Sequence, residues 1–455
     1  MQKKMSIIFM AVLLVALCAG LSFAAAPYGG YGNGYVDGMV TGTTNGAATN
    51  VFVNPQGTGD ALIYGYYNAR GNMGNLFSLT NTASYGVRAR IRFLEAKHSC
   101  EVIDFDVCLS AKDVWTAYIL DNGGVANLNV IDADTSIDTA APRGSIAGLL
   151  PTLFPDGVDF RYGSAVQCTD AGGKSVTLTA DDTLEGYFIV IAEDKLSETT
   201  TGSTTCGVKG TNGAVKTLWD MDRAGGSVDN VLFGNDYSIS FTDGKTYAYN
   251  ATAIGDFTNT VFFDDPIAAT PNLANGGDNN TVVPLNFALT KSTVSGSYYD
   301  LGAGTEVIVN FPTKRLTVGP GVADDIFDDS RVVITAYDTA ENSKTTVCQL
   351  SPCPPSQSTQ LPNEVNVISI NTSAIFDSVV EVPITIDYPF GWLSIDLVNA
   401  LVGTPAGPLA HQSTAGGLYS YGLPAIGYVA TDISSSGWNW MLPLVYSNTV
   451  DATPR

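Results

Sequence analysis

Two alternating segments of opposite charge constrain the fold more than any other feature of this sequence. Three arginines alternate with apolar residues from Val87 to Phe93, and two aspartates alternate with apolar residues from Ile103 to Leu109. Because side chains of a strand point alternately to its two faces, each segment would bury one face and show the other to water. Antiparallel pairing would place arginines opposite aspartates, at about 0.2–1 kcal/mol per pair, and would fix the register. The pattern therefore predicts a β-hairpin.

The composition agrees with many short strands joined by turns. Of the 455 residues only 15% are charged, while 47 are glycine and 21 are tyrosine. Charged helix-forming residues are therefore scarce and turn residues are plentiful. Strand-like segments recur along the chain between clusters of Gly, Pro, Asp and Thr. We expect an all-β fold of antiparallel, immunoglobulin-like β-sandwich lobes with long loop insertions.

Three later segments give further strand predictions. The apolar run from Gly186 to Ala192 suits a strand that is buried on both faces. An Asp-Gly pair lies between the alternating segments Tyr237–Phe241 and Lys245–Tyr249, which predicts a second hairpin. The apolar segment from Val282 to Leu289 is predicted to be another strand.

The beginning of the chain has the pattern of a secretory signal. Residues 1–24 combine two lysines, an apolar run and a small-x-small cleavage site at their end. Residues 25–50 are predicted to be a flexible Gly/Tyr-rich arm. Two β-sandwich lobes are predicted after the arm, at residues 51–228 and 229–455. We expect an exported protein that is extracellular or on the outer cell surface, with the periplasm as the alternative.

The charge of the chain restricts its partners. A formal net charge of −22 would repel nucleic acid, so we expect no nucleic-acid partner. After the signal no apolar run approaches the roughly 20 residues that cross a bilayer, so we expect no transmembrane segment. The predicted partners are other surface proteins, further copies of the chain, or glycans.

Six cysteines follow the signal, and an even number in an exported chain predicts disulfide bonds. Pairing of neighbours joins Cys100 to Cys108, Cys168 to Cys206 and Cys348 to Cys353. Local pairing is favoured because short loops lose the least entropy on closure. The geometry of the hairpin argues against it, since Cys108 would share the outer face with the aspartates while Cys100 belongs to the connection. A bond from Cys108 to Cys168 or Cys206 is the alternative.

Three short motifs resemble a group of uncharacterised exported proteins of Gram-negative bacteria. The motifs are Asn-Pro-x-Gly-x-Gly-Asp-Ala-Leu at residues 54–62, Phe-Pro-Thr-Lys-Arg at 311–315 and Gly-Leu-Pro-x-Ile-Gly at 422–427. The resemblance implies a cell-surface or extracellular location and no particular activity. The arginine and aspartate segments also look like an immunoglobulin-like strand pair, which is an analogy of fold alone.

Residues suited to catalysis are few. Hydrolysis by a serine or cysteine needs a neighbouring base, and the chain has two histidines, His98 and His411. The segment from Gly417 to Gly422 comes nearest to a nucleophile elbow, but its spacing is wrong for Gly-x-Ser-x-Gly. We therefore predict that the chain is not an enzyme and has no catalytic residue.

One acidic loop spaces oxygen-bearing side chains at alternate positions, namely Asp132, Asp134, Ser136 and Asp138. Calcium takes about six to eight oxygen ligands from flexible acidic loops of this kind. The loop lacks the glycine and the terminal glutamate of an EF-hand. Calcium is thus the one cofactor predicted, and an ion-free charged loop is the alternative.

Two tryptophans near the C-terminal end are the predicted ligand-binding residues. Trp438 and Trp440 are separated by one residue and follow a Ser-rich loop, so both rings would lie on one face of a strand. Such rings stack on sugars or pack against neighbouring side chains. The sequence predicts an exported structural or interaction protein of the cell surface and leaves open whether it forms an array. The alternative is a carbohydrate-binding adhesin that uses these aromatic residues.

Overall fold

The structure, a computed structural model, is described for residues 51–131, 136–137, 156–166, 168–169, 175–199, 220–223, 228–257, 273, 282–300, 304–314, 331–345, 359–371, 373–401, 410–412, 419–433 and 436–451. Its regular structure is nearly all β, which confirms the predicted fold class. The predicted arm at residues 25–50 and the signal at 1–24 lie outside the described ranges.

The strands are short and follow one another closely. In chain order they are β1 (Phe52–Val53), β2 (Ala61–Asn68), β3 (Met73–Asn81), β4 (Gly86–Glu95), β5 (Glu101–Leu109), β6 (Val114–Asp121), β7 (Ala126–Val130), β8 (Ser136–Ile137), β9 (Val158–Asp159), β10 (Cys168–Thr169), β11 (Ser175–Val176), β12 (Glu185–Thr199), β13 (Asp220–Arg223), β14 (Leu232–Ser240), β15 (Thr246–Asn250), β16 (Thr252–Gly255), β17 (Thr290–Lys291), β18 (Thr293–Tyr299), β19 (Gly304–Asn310), β20 (Arg331–Asp338), β21 (Ser343–Thr345), β22 (Thr359–Gln360), β23 (Val365–Ile370), β24 (Glu381–Ile384), β25 (Phe390–Leu401), β26 (Ala410–Gln412), β27 (Tyr419–Tyr421), β28 (Leu423–Pro424), β29 (Ile426–Ile433), β30 (Trp438–Pro443), β31 (Val445–Ser447) and β32 (Thr449–Asp451). Helical structure consists of α1 (Val282–Leu289) and 3₁₀ turns at Gly163–Ala165 and Asp181–Leu184.

Four large sheets carry most of these strands. Sheet I has the order β15-β14-β3-β6-β7-β9, and sheet II has the order β1-β16-β2-β12-β4-β5-β8 with β13 also paired to β12. Sheet III has the order β24-β23-β19-β29-β30, and sheet IV has the order β21-β20-β25-β18-β31 with β22 paired to β20. The pairs are antiparallel except β23 with β24. Small sheets are formed by β10-β11, β17-β28 and β26-β27-β32.

The four sheets are stacked in the order I, II, III, IV and enclose three apolar cores. Strand β12 of sheet II contributes side chains to two of these cores. Phe188 and Val190 pack in the first core, between sheets I and II. Ile189 and Ile191, on the opposite face of the same strand, pack in the central core with side chains of sheet III. Sheet III is likewise buried on both faces, since Ile308 enters the central core and Val307 the third core, against sheet IV. The apolar run at residues 186–192 is therefore buried on both faces, as predicted.

The charged hairpin is present, and its arginines lie opposite aspartates as predicted. Strands β4 and β5 are antiparallel, with Arg90 opposite Asp106 and Arg92 opposite Asp104. The expectation that the arginines face water is wrong, because Arg90 is buried. A β-bulge in β12 next to Ala192 is the reason, since it brings Glu193 to the arginines, with Arg88 Nε 2.9 Å from its carboxylate.

The segment predicted as a strand from Val282 to Leu289 is the helix α1, so that prediction is wrong. Leu285 and Leu289, four residues apart, lie on one side of a helix and both pack in the central core. Pro284 falls in the first turn, where its missing N–H costs no helical hydrogen bond.

Strands that follow residue 228, where the sequence places a lobe boundary, join sheets formed by strands that precede it. Strand β14 pairs with β3 along its whole length, and β16 pairs with both β1 and β2. The predicted hairpin of residues 237–249 is present as β14 and β15, with a left-handed Gly244 in its turn. Residues Thr44–Arg455 form one compact unit.

One disulfide bond joins Cys100 to Cys168, with 5.6 Å between their Cα atoms. The predicted Cys100–Cys108 and Cys168–Cys206 pairs are therefore wrong. Cys100 is completely buried in the first core, whereas Cys108 packs with Leu196 on the opposite side of sheet II. Two cysteines on opposite faces of a sheet cannot be bridged. Cys108 is also disulfide-bonded, to a cysteine outside the described residues, and the pair Cys348–Cys353 lies outside them as well.

A loop between β23 and β24 ties sheet II to sheet III. Glu306 of β19 accepts hydrogen bonds from the N–H groups of Ile375 (2.8 Å) and Phe376 (3.1 Å). Glu185 of β12 accepts hydrogen bonds from the Ser378 hydroxyl (2.6 Å) and the Val379 N–H (3.0 Å). We call residues 375–380 the clamped loop, because buried carboxylates from two sheets hold it.

Candidate functional site

A segment near the C-terminal end of the chain combines exposed apolar side chains with an absence of charged residues. Residues 433–450 contain no Asp, Glu, Lys or Arg, in a chain with a net charge of −22. Of the eleven large apolar side chains that are exposed among the described residues, five lie here: Trp438, Leu442, Val445, Tyr446 and Val450. Contiguous exposed apolar surface marks sites of interaction more often than scattered apolar residues do. We call residues 433–450 the C-terminal edge, because β30 and β31 end the strand orders of sheets III and IV.

The two predicted tryptophans lie at alternate positions of β30. Trp438 is opposite Ile433 and Trp440 is opposite Thr431 in the neighbouring strand. Trp438 is 66% exposed, whereas Trp440 is half-buried and packs edge-to-face against Tyr299 of β18, with 5.7 Å between ring centroids. Met441, on the other face of β30, packs in the central core. A ligand-binding role of the two tryptophans stays a prediction.

Strand β31 is the end strand of sheet IV among the described strands. It pairs with β18 on one side, with Ser295 opposite Val445 and Thr293 opposite Ser447. Val445 is 68% exposed, the largest fraction among the exposed apolar residues of the described chain. No described strand pairs with the other edge of β31, so among the described residues this edge carries backbone donors and acceptors beside apolar side chains, which is a template for another strand.

Hydrogen bonds fix the C-terminal edge to the rest of the fold. The Ser292 hydroxyl accepts a hydrogen bond from the Thr449 N–H (2.6 Å) and donates one to the carbonyl of Tyr421 (2.7 Å). The Lys291 Nζ lies 4.0 Å from the centre of the Tyr446 ring, a cation–π contact. Burial lowers the pKa of Lys291 to about 7. These contacts fix the C-terminal edge to Lys291 of β17 and to Ser292, which lies between β17 and β18.

The two histidines lie in different parts of the fold, and the serine opposite one of them is buried. The backbone places His411 of β26 directly opposite Ser420 of β27, a pairing that the sequence does not reveal. Ser420 is 1% exposed, so a substrate could not reach its hydroxyl. His98 lies in the turn between β4 and β5, where its backbone N–H donates a 2.8 Å hydrogen bond to the Glu95 carboxylate. The absence of enzyme activity stays a prediction.

The predicted calcium ligands are mostly beyond the described structure. Asp132, Asp134 and Asp138 lie outside it, and Ser136 belongs to β8, where its backbone pairs with Cys108. Within the described residues no three His, Cys, Asp or Glu side chains are grouped so that they could hold a metal ion. Calcium binding stays a prediction.

Among the described residues, no helix has the length and apolar character needed to cross a membrane. No protein family, curated protein or solved structure matches this chain. The fold defines it as an all-β protein of stacked, mostly antiparallel sheets. Its resemblance to exported Gram-negative proteins and to immunoglobulin-like domains stays a prediction.

Proposed function

We propose that this chain is an exported structural or interaction protein of the cell surface that associates with further copies of itself through β31. The observation that supports the proposal is the exposure of Val445 on an end strand with no charged neighbour from residue 433 to residue 450. Strands at the ends of natural sheets are often protected from pairing by short length, lysine, proline or a bulge. Strand β31 is short, but Val-Tyr-Ser contains no lysine or proline.

The charge of the chain favours this edge as the place where two copies meet. Two molecules with a net charge of −22 repel each other over most approaches. The C-terminal edge adds no charge to a contact, and antiparallel pairing of two β31 strands would satisfy the backbone groups of both. A contact between identical edges obeys twofold symmetry. A second interface elsewhere would extend such pairs into an array.

Sedimentation of the purified protein over a wide range of concentrations tests the proposal. We expect the mass of the wild-type protein to rise with concentration, and we expect Val445→Lys to remain monomeric because a lysine ammonium would enter the contact. Val114→Lys is the matched control, since Val114 is a 44% exposed valine at the start of β6 in sheet I. A wild-type protein that stays monomeric, or equal loss of association in both variants, would contradict the proposal.

A carbohydrate-binding adhesin is the second candidate. The 66% exposure of Trp438 favours it, because a large ring left open to water on a rigid strand gains from covering by a ligand. Binding of sugars and self-association do not exclude each other on a cell surface.

A further inference from the structure

Six aromatic side chains follow one another across the outside of sheet IV and onto β30. Trp392 of β25 stacks on Tyr337 of β20, with ring centroids 4.2 Å apart and planes 9° apart. Phe390 lies two residues before Trp392 in β25, and its cross-strand partner is Tyr299 of β18. Tyr299 in turn packs against Trp440. We call Tyr337, Trp392, Phe390, Tyr299, Trp440 and Trp438 the aromatic band.

The band lies on a face that none of the described sheets covers. Sheet IV is the last of the four described sheets in the stack, and the alternate residues Leu393 and Ile395 of β25 pack inward in the third core. Trp392 is 43% exposed and Phe390 is 39% exposed. Rings that served only the core would be buried, as Trp115 is in the first core, at 1% exposure.

Rows of hydroxyl groups continue the same face. Ser297 is the cross-strand partner of Trp392, and Ser394 lies between Thr335 and Ser295 in the next row. The row after that has Thr293 on β18, whose hydroxyl is 2.7 Å from that of Ser447 on β31. With strands about 4.8 Å apart and alternate residues about 6.8 Å apart, these rows span about 14 Å in each direction.

The composition of the face selects the chemistry of its ligand. Ser and Thr hydroxyls donate and accept hydrogen bonds, so they match a ligand rich in hydroxyl groups. The charged side chain in these rows is a carboxylate, Asp396, opposite Thr293, and the chain as a whole is strongly acidic. An anionic polymer is therefore disfavoured. A flat ring with one apolar face and many hydroxyls, the sugar unit of a neutral polysaccharide, fits both the aromatic rings and the hydroxyl rows.

We propose that the aromatic band binds a neutral polysaccharide, with sugar rings packed on the exposed aromatic rings and sugar hydroxyls bonded to the rows from Ser297 to Thr293. The proposal goes beyond self-association and does not depend on it. It extends the second candidate function, because it adds Tyr299, Tyr337, Phe390 and Trp392 to the two tryptophans. A band that crosses several strands matches an extended chain and not a single sugar.

Native electrophoresis in gels that contain a soluble polysaccharide tests the proposal. The probes are hydroxyethyl cellulose, galactomannan and dextran, with alginate as the anionic counterpart. We expect at least one neutral polymer, but not alginate, to retard the wild-type protein. Trp392→Ala should weaken the affinity by about three- to tenfold, the range expected for loss of one stacked ring. Tyr162→Ala is the control, since Tyr162 is 44% exposed and lies outside the band; it should be retarded like the wild type.

Further variants separate the proposal from its competitors. Loss of binding in Trp438→Ala with full binding in Trp392→Ala would confine the site to β30 and overturn the band. Equal retardation by alginate, or no retardation by any of the neutral polymers, would also overturn it. Trp392→Ala should self-associate like the wild type, because Trp392 lies on β25 and not on β31, so that failure of sugar binding is distinguished from failure of self-association. Matching circular dichroism spectra and melting temperatures establish that each variant is folded.

Discussion

Glu306 couples the stability of the fold to pH. Its side chain is almost completely buried and its carboxylate holds two N–H groups of the clamped loop. Burial raises its pKa from 4.5 to about 7. The folded state therefore binds a proton more tightly than the unfolded state, and stability is lost as the pH rises through the interval between the two values. Burial also raises the pKa of Glu185.

We predict that the free energy of unfolding of the wild-type protein falls between pH 5 and pH 7.5. Glu306→Gln should reduce this fall by up to about 3 kcal/mol, because the side chain no longer titrates. Urea unfolding at a series of pH values measures the slope. Glu341→Gln, in an exposed turn, is the control and should leave the slope unchanged; an identical slope in Glu306→Gln would refute the prediction.

At the residue level the sequence predicts local pairing well and distant partners poorly. The alternation of arginine and aspartate was enough to predict that β4 and β5 pair with arginines opposite aspartates. Nothing in that alternation indicates that Glu193, far away in the sequence, meets Arg88. The bulge that turns Glu193 toward the arginines depends on how β12 lies beside β4. Trp440 is a similar case, since its neighbour Tyr299 belongs to another sheet.

Among the elements, the disulfide between Cys100 and Cys168 shows why cysteines cannot be paired simply by their closeness in the sequence. The two cysteines are 68 residues apart, but closing this loop instead of the short one costs only about 2 kcal/mol more, since closure entropy grows with the logarithm of length. Burial of Cys100 in the first core outweighs that difference. The face on which a cysteine lies therefore matters more than its distance along the chain.

We predict that replacing both Cys100 and Cys168 by alanine lowers the free energy of unfolding by about 4 kcal/mol, as the chain-entropy account gives for a loop of this length. Equilibrium unfolding in urea under oxidising conditions measures the loss. Peptide mapping without reduction provides the independent check. A peptide that links Cys100 to Cys108 would contradict the pairing described here.

Helix α1 illustrates a second limit of prediction at this scale. Val-Val-Pro-Leu-Asn-Phe-Ala-Leu is short and apolar, and a short apolar run fits a buried strand as well as a buried helix. What decides between them is tertiary packing, since the four-residue spacing of Leu285 and Leu289 suits the central core. Segments such as β12, with β-branched residues at successive positions, were predicted correctly because propensity and packing agree.

In the whole molecule, the central core makes the four sheets one unit. Phe376 of the clamped loop is completely buried. The centroid of its ring lies 5.2 Å from the ring centroid of Tyr66 and 5.3 Å from that of Tyr247. The sequence indicates two lobes, and it indicates through β12 that some strands are buried on both faces. It does not indicate that sheet III covers the second face of β12, because the contact surfaces come from separate parts of the chain.

We predict that Phe376→Ala destabilises the whole protein by about 3–5 kcal/mol, the usual cost of emptying a buried aromatic site. Unfolding should remain a single calorimetric transition, because sheets II and III lose a shared core together. Phe241→Ala, at an exposed position, should change stability by less than about 0.5 kcal/mol. Two separate transitions, with one unaffected by Phe376→Ala, would show that the sandwiches are independent.

The strand order of sheet III has a consequence for the chain while it is being made. Strand β19 lies between β23 and β29, and β29 ends at Ile433, so β19 has an open side until more than 120 further residues have been synthesised after its own end at Asn310. Sheet II likewise needs β16 before β2 is covered. A nascent chain therefore carries apolar strands with unpaired edges until these late strands emerge, and such edges are prone to aggregation.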